Sequence, residues 1–411
     1  MLLFVSLAMF GNYYVYDCIS PLADVLKAQL GFSDANIGLL QAIYSMPNIV
    51  MVLIGGIIID RIGTKRSTLM FAAVCLVGAV ITTLSGQLWT MAAGRLVFGL
   101  GAESMIVAVT TALARWFKGK ELSFAFAINL TIARLGSFGA LNSPTLAGWA
   151  FATWKGPLLI AVTFAAVAVA AAAVYWMLEA RAERSFALGS AGQTDKVVFS
   201  DIFRFSASYW LIVALCVTFY SGIFPFQTFA VKFFMDAHGT SREMGGFLSS
   251  MLTLFAMIGS PLFGLLADRI GKRALLMLFG SALLMPVYLL MAYTGVSLYV
   301  PMAMMGVAFS LVPAVMWPSV AYVVEEAKLG TAYGLMTLVQ NAGMTVFNLA
   351  VGAANDWSAA SAANPDGYRA GMWIFSTLGV SALAFAWLLR KTETGPHAHG
   401  LETITTGHAA G

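Results

Sequence analysis

The chain has 411 residues, of which 60% are hydrophobic and only 10% charged, with a formal net charge of +4. That is too little charge to cover the surface of a water-soluble domain, and no tract suits nucleic acid. The apolar residues arrive in blocks of about twenty or more, enough for a helix to cross a hydrocarbon core about 30 Å thick. Helices are expected because each backbone polar group must be satisfied within its own span.

In chain order the expected spans are 3–27, 35–59, 67–87, 89–116, 122–150, 156–179, 208–234, 244–267, 274–295, 298–324, 330–354 and 370–390. The first runs to about Leu26 and carries Asp17, so it reads as a span and not as a cleavable leader. The polar stretch 180–207, with Arg181, Arg184, Lys196 and Arg204, divides the spans six and six. The expected organisation is therefore an N-terminal six-helix bundle (1–179), a linker (180–207), a C-terminal six-helix bundle (208–391) and a polar tail (392–411). Cys18, Cys75 and Cys216 all lie in apolar runs and suggest neither disulfides nor a metal site. His397, His399 and His408 fall in the polar tail and His238 in a short loop. No cofactor, metal or enzymatic constellation is expected.

Basic residues set the orientation. The loops after spans 2, 4, 6, 8 and 10 and the end of span 12 hold 16 of the 23 Lys and Arg: Arg61, Lys65, Arg66, Arg115, Lys118, Lys120, the four linker residues, Arg269, Lys272, Arg273, Lys328, Arg390 and Lys391. The opposite side has five: Lys27, Lys155, Lys232, Arg242 and Arg369. Both termini are thus expected in the cytoplasm. The halves also repeat. GGIIIDRIGTKR follows span 2 and FGLLADRIGKR follows span 8, so that Gly56, Asp60, Arg61 and Gly63 correspond to Gly264, Asp268, Arg269 and Gly271 at a constant shift. Duplicated halves are a transporter architecture.

The G-x-x-x-D-R-x-G-x-K-R element at Gly56–Arg66 resembles the signature loop of the major facilitator superfamily. The resemblance implies an all-α polytopic membrane protein with twelve helices in two six-helix halves. It also implies a gating role for Gly56, Asp60, Arg61, Gly264, Asp268 and Arg269. A narrower resemblance runs through nearly the whole chain. FGNYYVYD (10–17), YSMPNIV (44–50), GRLVFGLGAES (94–104), RWFKGKELSFAFAINLTIARLGS (115–137), IFPF (223–226), WPSVAYVV (317–324) and LGTAYGLMTLVQNAG (329–343) are similar to the family of major facilitator superfamily domain-containing protein 1. That family implies a lysosomal dipeptide transporter driven by its substrate gradient. No plausible external glycosylation site is expected: Asn129 opens N-L-T but lies inside a span, and Asn142 is followed by Ser143-Pro144. A monomer in a cytoplasmic (plasma) membrane is expected, or in a lysosomal membrane if the source is eukaryotic.

A charge inside a span costs roughly 2.5–3.5 kcal/mol on insertion scales, so each needs a partner or a cavity. Glu103 and Arg134 fall near the centres of adjacent antiparallel spans. They form either a self-neutralising ion pair or two hooks, Arg134 for a substrate carboxylate and Glu103 for an ammonium. The family resemblance maps GAES and ARLGS onto substrate-binding positions. Arg95 opens R-x-x-x-G-x-G on the same span as Glu103 and is expected to bond carbonyls of a neighbouring helix, a structural or coupling role. Asp17, beside Tyr16, could attract an ammonium or pair with Arg95. In the second half Tyr220, Gln227, Trp317, Gln340 and Asn341 are the polar candidates, of which Tyr220, Trp317 and Asn341 are taken as substrate contacts. Pro225 and Pro318 suggest a break and a kink, and Lys232 is expected to snorkel to the interface.

One cation and one anion at midplane suit a zwitterion, so the leading expectation is uniport of small dipeptides by alternating access. A small organic anion or monocarboxylate carrier, and a non-transporting membrane sensor on the same fold, are the alternatives.

Overall fold

The computed structural model of the chain describes residues 1–117, 122–185, 205–396 and 398–405, and within them the side chains at 49, 50, 52, 53, 60, 122, 123, 184, 185 and 327 are not described. Lys118, Lys120, Lys196, Arg204, His397 and His408 therefore lie outside the described residues, as do the side chains of Asp60 and Arg184. Among the described residues the chain is helical almost throughout, with one isolated β-bridge, Ser361 to Asn364.

The helices are α1 (Leu2–Asp17), α2 (Ala23–Leu30), α3 (Asp34–Ser45), α4 (Asn48–Ile62), α5 (Thr64–Leu84), α6 (Leu88–Phe117), α7 (Leu122–Leu141), α8 (Ser143–Leu146) and α9 (Lys155–Ser185). They continue as α10 (Ala207–His238), α11 (Arg242–Ile270), α12 (Arg273–Leu284), α13 (Val287–Tyr293), α14 (Tyr299–Val323), α15 (Leu329–Trp357) and α16 (Arg369–Glu393). Joined across their breaks, they make the twelve spans. Among the described residues ten helices are long and apolar enough to cross a membrane. The second span misses that measure because it is split into α3 and α4, and α15 because polar residues such as Gln340, Asn341, Asn348 and Asn355 dilute its hydropathy.

Proline explains most breaks and several departures from expectation. It lacks the N–H of the helical ladder and its ring crowds the carbonyl four residues back. Spans expected to be continuous at 3–27, 35–59, 122–150 and 274–295 are interrupted near Pro21, Pro47, Pro144 and Pro286. Pro225 does the opposite of what was expected: α10 runs unbroken past it. α14 likewise stays continuous past Pro313 and Pro318. Helix α9 extends to Ser185, into the stretch expected to be linker.

Two compact units divide the chain. The first holds the described residues of Met1–Thr194 with Thr228–Met235 and Thr240–Ser250. The second holds the described residues of Asp195–Gln227, Asp236–Gly239 and Met251–Gly411.

In the first unit, glycines let helix backbones touch. On α7, Gly136 faces the Phe10 carbonyl of α1, and on α1 Gly11 faces α9, where an added Cβ would lie 2.8 Å from Ala168 Cβ. Helix α1 is thereby fixed between α7 and α9. Gly78 of α5 and Gly94 of α6 face each other, where an added Cβ would lie 2.7–2.8 Å from the opposing carbonyl. In the second unit, Phe226, Tyr288 and Phe375 form an aromatic cluster with centroids 5.2–5.8 Å apart. The Tyr288 hydroxyl donates to the Gly222 carbonyl at 2.7 Å. Large apolar side chains such as Ile258, Leu262 and Phe279 lie exposed on the outside of their helices, the surface a lipid environment demands.

Gly136→Val forces a branched side chain into the Phe10 carbonyl, where overpacking costs about 1–3 kcal/mol. The thermal midpoint of the purified protein should fall by several degrees; an unchanged midpoint would mean that α1 and α7 do not meet there.

Candidate functional site

The site in the first unit is built on one stripe of α6. Arg95, Gly99 and Glu103 recur every four residues and so share a helix face. Opposite them stand Leu40, Gln41 and Tyr44 of α3 and Asn48, the first residue of α4. Gly99 makes the approach possible, since an added Cβ would press on the Tyr44 carbonyl and come within 2.8 Å of Pro47 Cγ. The break at Met46–Pro47 is therefore seated on Gly99, and the polar side chains flanking it reach along the stripe to Glu103.

Arg95 is 1% exposed and fully engaged by backbone. It donates from Nη1 to the Val15 carbonyl at 2.9 Å, from Nη2 to the Tyr16 carbonyl at 3.2 Å and from Nε to the Leu40 carbonyl at 3.3 Å. Nη2 also meets the Gln41 side chain. The guanidinium lies 5.2–6.0 Å from the ring centroids of Tyr16, Tyr44 and Phe98. This clasp ties α1, α3 and α6 together at the lower end of the stripe.

Glu103 has a different setting. Its Oε1 accepts from Asn48 Nδ2 at 3.3 Å and from the Tyr44 hydroxyl at 3.5 Å. Both donors are neutral, so they orient the carboxylate without cancelling its charge. Asn48 is fully buried and Tyr44 nearly so, which fixes both donors.

Tyr13, Tyr16 and Asp17 share a face of α1 by their three- and four-residue spacing. Tyr13 lies within the electrostatic reach of Arg134, Glu103 and Asp17 together. Asp17, at the end of α1, sits by Ser137 and within reach of both Arg95 and Arg134. The four charges read from the sequence are thus gathered around one face of α1. Arg134 and Glu103 are half-buried, whereas Arg95 and Asp17 are buried. A ligand with one anionic and one cationic end finds a half-buried guanidinium and a half-buried carboxylate within one unit.

In the second unit, Trp317 Nε1 donates to the Tyr220 hydroxyl at 2.9 Å, and the Tyr333 hydroxyl donates to the Trp317 carbonyl at 3.2 Å. Trp317 stacks on Tyr333 and Tyr220 on Phe224, with centroids 6.1 and 5.6 Å apart. Asn341 is buried and turns its amide onto the Thr337 carbonyl of its own helix at 3.0 Å. Gln340 Oε1 takes the Cys216 thiol at 3.6 Å.

The signature turns are held differently. After α4, Gly63 adopts φ 80°, and Thr64 and Arg115 both donate to Glu179 Oε1, at 2.7 and 2.8 Å. Lys65 pairs with Glu183. Gly56 is buried and Arg61 exposed. After α11, Gly271 adopts φ 66°, Asp268 pairs with Arg273 at 3.0 Å, Arg269 is exposed and Gly264 faces open space.

Lys232 corrects an expectation. It does not snorkel: it is 3% exposed and lies 3.4 Å from the fully buried Asp34, which also takes Lys27 at 3.2 Å. Asp34, Tyr44 and Asn48 were not singled out from the sequence. Tyr44 and Asn48 carried one usable signal, polar side chains flanking a proline within an apolar run. Among the described residues no group of three or more His, Cys, Asp or Glu could hold a metal ion.

Comparison with known proteins agrees with this architecture. The sequence model of the Major Facilitator Superfamily matches residues 5–346 and 226–406. The chain is 34% identical over 373 residues to the Lysosomal dipeptide transporter MFSD1 of Danio rerio, covering 87% of this chain and 80% of that protein. It is 33% identical to the Homo sapiens protein of the same name, covering 86% and 78%. Among solved structures, the nucleoside transporter NupG superposes with a TM-score of 0.74 at 14% identity, covering 95% of this chain and 99% of that one. A bacterial homologue of the human lysosomal transporter Spinster gives 0.73 at 17% identity, covering 95% and 96%.

Arg95→Leu would strand the Tyr16 carbonyl and take one bond each from the Val15 and Leu40 carbonyls, and a buried acceptor left unpaired costs about 1–3 kcal/mol. A marked fall in thermal midpoint is expected in detergent; a variant as stable as the parent would show that the clasp carries no stability.

Proposed function

The chain belongs to the Major Facilitator Superfamily, in the branch of its MFSD1 relatives, and we propose that it moves small dipeptides or similar zwitterions across a membrane by alternating access, as a uniporter. The observation that carries this reading is the pairing of unlike settings on neighbouring helices. Glu103 is oriented by neutral donors only, and Arg134 stands with it around Tyr13. A guanidinium is planar and can bind a carboxylate through two parallel hydrogen bonds. Arg134 is assigned the substrate carboxylate, Glu103 the substrate ammonium, and Asp17 and Tyr16 the flank of the same site. A sugar would be better served by many neutral groups. The name of the relatives, dipeptide transporters, supports the same choice.

While it holds an ammonium Glu103 stays ionised, which favours uniport over proton coupling. Tyr220 and Trp317 supply a polar aromatic wall in the second unit. The signature turns are assigned to gating because their contacts lie at helix ends, away from Arg95, Glu103 and Arg134. Orientation follows from the basic loops: the ends carrying Arg61, Lys65, Arg66, Arg269, Lys272 and Arg273 face the cytoplasm.

The test uses purified protein and two ligands, a free dipeptide and its N-acetyl derivative. Acetylation removes the ammonium and leaves an anion facing a carboxylate; an unpaired buried charge costs about 3–5 kcal/mol, a hundredfold or more in affinity. The free dipeptide should bind far more tightly, and Glu103→Gln should weaken it much more than the acetylated ligand. Equal affinity of the parent for both would remove Glu103 from the site. A preference for the acetylated ligand would identify an organic-anion carrier, and binding without flux in vesicles a sensor.

A further inference from the structure

The two signature turns are related by sequence, yet the groups that hold them come from different places. In the first unit they come from a helix. Glu179 and Glu183, near the end of α9, reach Thr64, Lys65 and Arg115 directly. The corresponding final helix of the second half is α16, and its last residue, Glu393, is 2% exposed. Glu393 does not reach the second turn. Its Oε1 takes the Ser208 hydroxyl at 2.5 Å and His399 Nδ1 at 2.9 Å, while Oε2 takes the backbone N–H of His399 at 2.9 Å and of Leu401 at 3.4 Å.

Those bonds fold the segment after α16 back onto the second turn, which the segment then holds. Arg273 N–H donates to the Leu401 carbonyl at 2.8 Å, and Lys272 N–H to the Glu402 carbonyl at 3.3 Å. Arg273 Nη1 donates to the Ile404 carbonyl at 2.6 Å. The Glu402 carboxylate accepts the Leu275 N–H at 2.8 Å, one of the donors that the first turn of α12 leaves without an intrahelical partner. Leu401 is fully buried, which anchors the segment by its apolar side chain as well. On its other side Arg273 meets Asp268 and, at 3.2 Å, the Tyr322 hydroxyl. Within the stretch expected from composition to be a polar tail, the described residues His399–Ile404 are thus bonded at both ends.

We propose that His399–Thr405 is a strap that holds the second signature turn, in place of the helix-borne glutamates that hold the first, and that the rate of transport depends on it. Glu393 is the fold point, Leu401 the anchor and Glu402 the group that meets the turn. The first signature turn needs no strap because its acids are already on α9. The dependence of rate on the strap rests on the transport reading above; the existence of the strap does not.

The test compares the full chain with Glu402→Ala and with a chain shortened to end at Thr394, which keeps Glu393. Backbone amide hydrogen exchange is read over Lys272–Leu276, and initial uptake of a dipeptide into proteoliposomes is read beside its equilibrium affinity. Loss of a hydrogen bond to a charged acceptor should speed exchange at Leu275 about tenfold or more in both variants. Uptake should fall about threefold or more with affinity unchanged, the signature of an interaction that affects turnover and not binding. Parental exchange rates in both variants would mean there is no strap. Faster exchange with parental uptake, or affinity falling in step with uptake, would overturn the rate dependence. A parent protein that carries no dipeptide would overturn the proposed function and the rate dependence with it, while exchange would still decide whether the strap exists.

Discussion

A charge carried inside a membrane span has to be met by something other than water, and α6 carries two such charges eight residues apart on one face. The structure meets them in opposite ways. Arg95 is consumed by three backbone carbonyls and an amide: the Val15 and Tyr16 carbonyls lie in the last turn of α1, where ladder partners run out, and the Leu40 carbonyl lies within α3. It therefore works as a fastener. Glu103 is met by an amide and a phenol, neither of which carries a charge. The local cost of an ionised carboxylate is reduced by such donors but not removed, and a cationic ligand group would reduce it further. The break at Pro47 matters for Glu103, to which it brings Tyr44 and Asn48.

Much of this was legible in the sequence because hydrophobic length and intramembrane charge are strong local signals. The helical spans follow from apolar runs, the internal repeat from Gly56–Gly63 and Gly264–Gly271, and the four charges within spans from their rarity in such a chain. The donors that meet Glu103 were not legible. Asn48 and Glu103 are 55 residues apart and Tyr44 and Glu103 are 59 apart, so their meeting is set by how the halves of a broken helix pack on α6. Lys232 and Asp34 illustrate the same limit. Position near a helix end suggested an interfacial lysine, but tertiary packing buries it against an aspartate nearly 200 residues away in sequence. Proline was legible as a residue and ambiguous in effect, since Pro47 and Pro286 interrupt spans while Pro225 and Pro318 do not.

The repeat also shows how duplicated sequence can keep a turn and change its support. The glycine with positive φ, the acidic residue before it and the basic residues after it recur in both halves. Their supporting acids do not recur at matching positions. In the first half they lie on α9, and in the second they arrive on the segment that follows α16. The basic turn is therefore the constant element, and its support comes from α9 carboxylates in the first half and, mostly through backbone carbonyls, from the segment after α16 in the second. Composition alone marks 392–411 as a polar tail, because the bonds that dock its described residues 399–404 are mostly to backbone and leave no pattern in side-chain chemistry.

A structure of the protein with a bound dipeptide tests the zwitterion assignment most directly. The peptide should lie against the α1 face of Tyr13 and Tyr16, its ammonium within about 3 Å of the Glu103 carboxylate and its carboxylate on the Arg134 guanidinium, at ordinary hydrogen-bond distances. Arg95 should keep its carbonyl clasp unchanged. A peptide bound in the reverse orientation, or one that leaves Glu103 on Tyr44 and Asn48 alone with no ligand group beside it, would contradict the assignment.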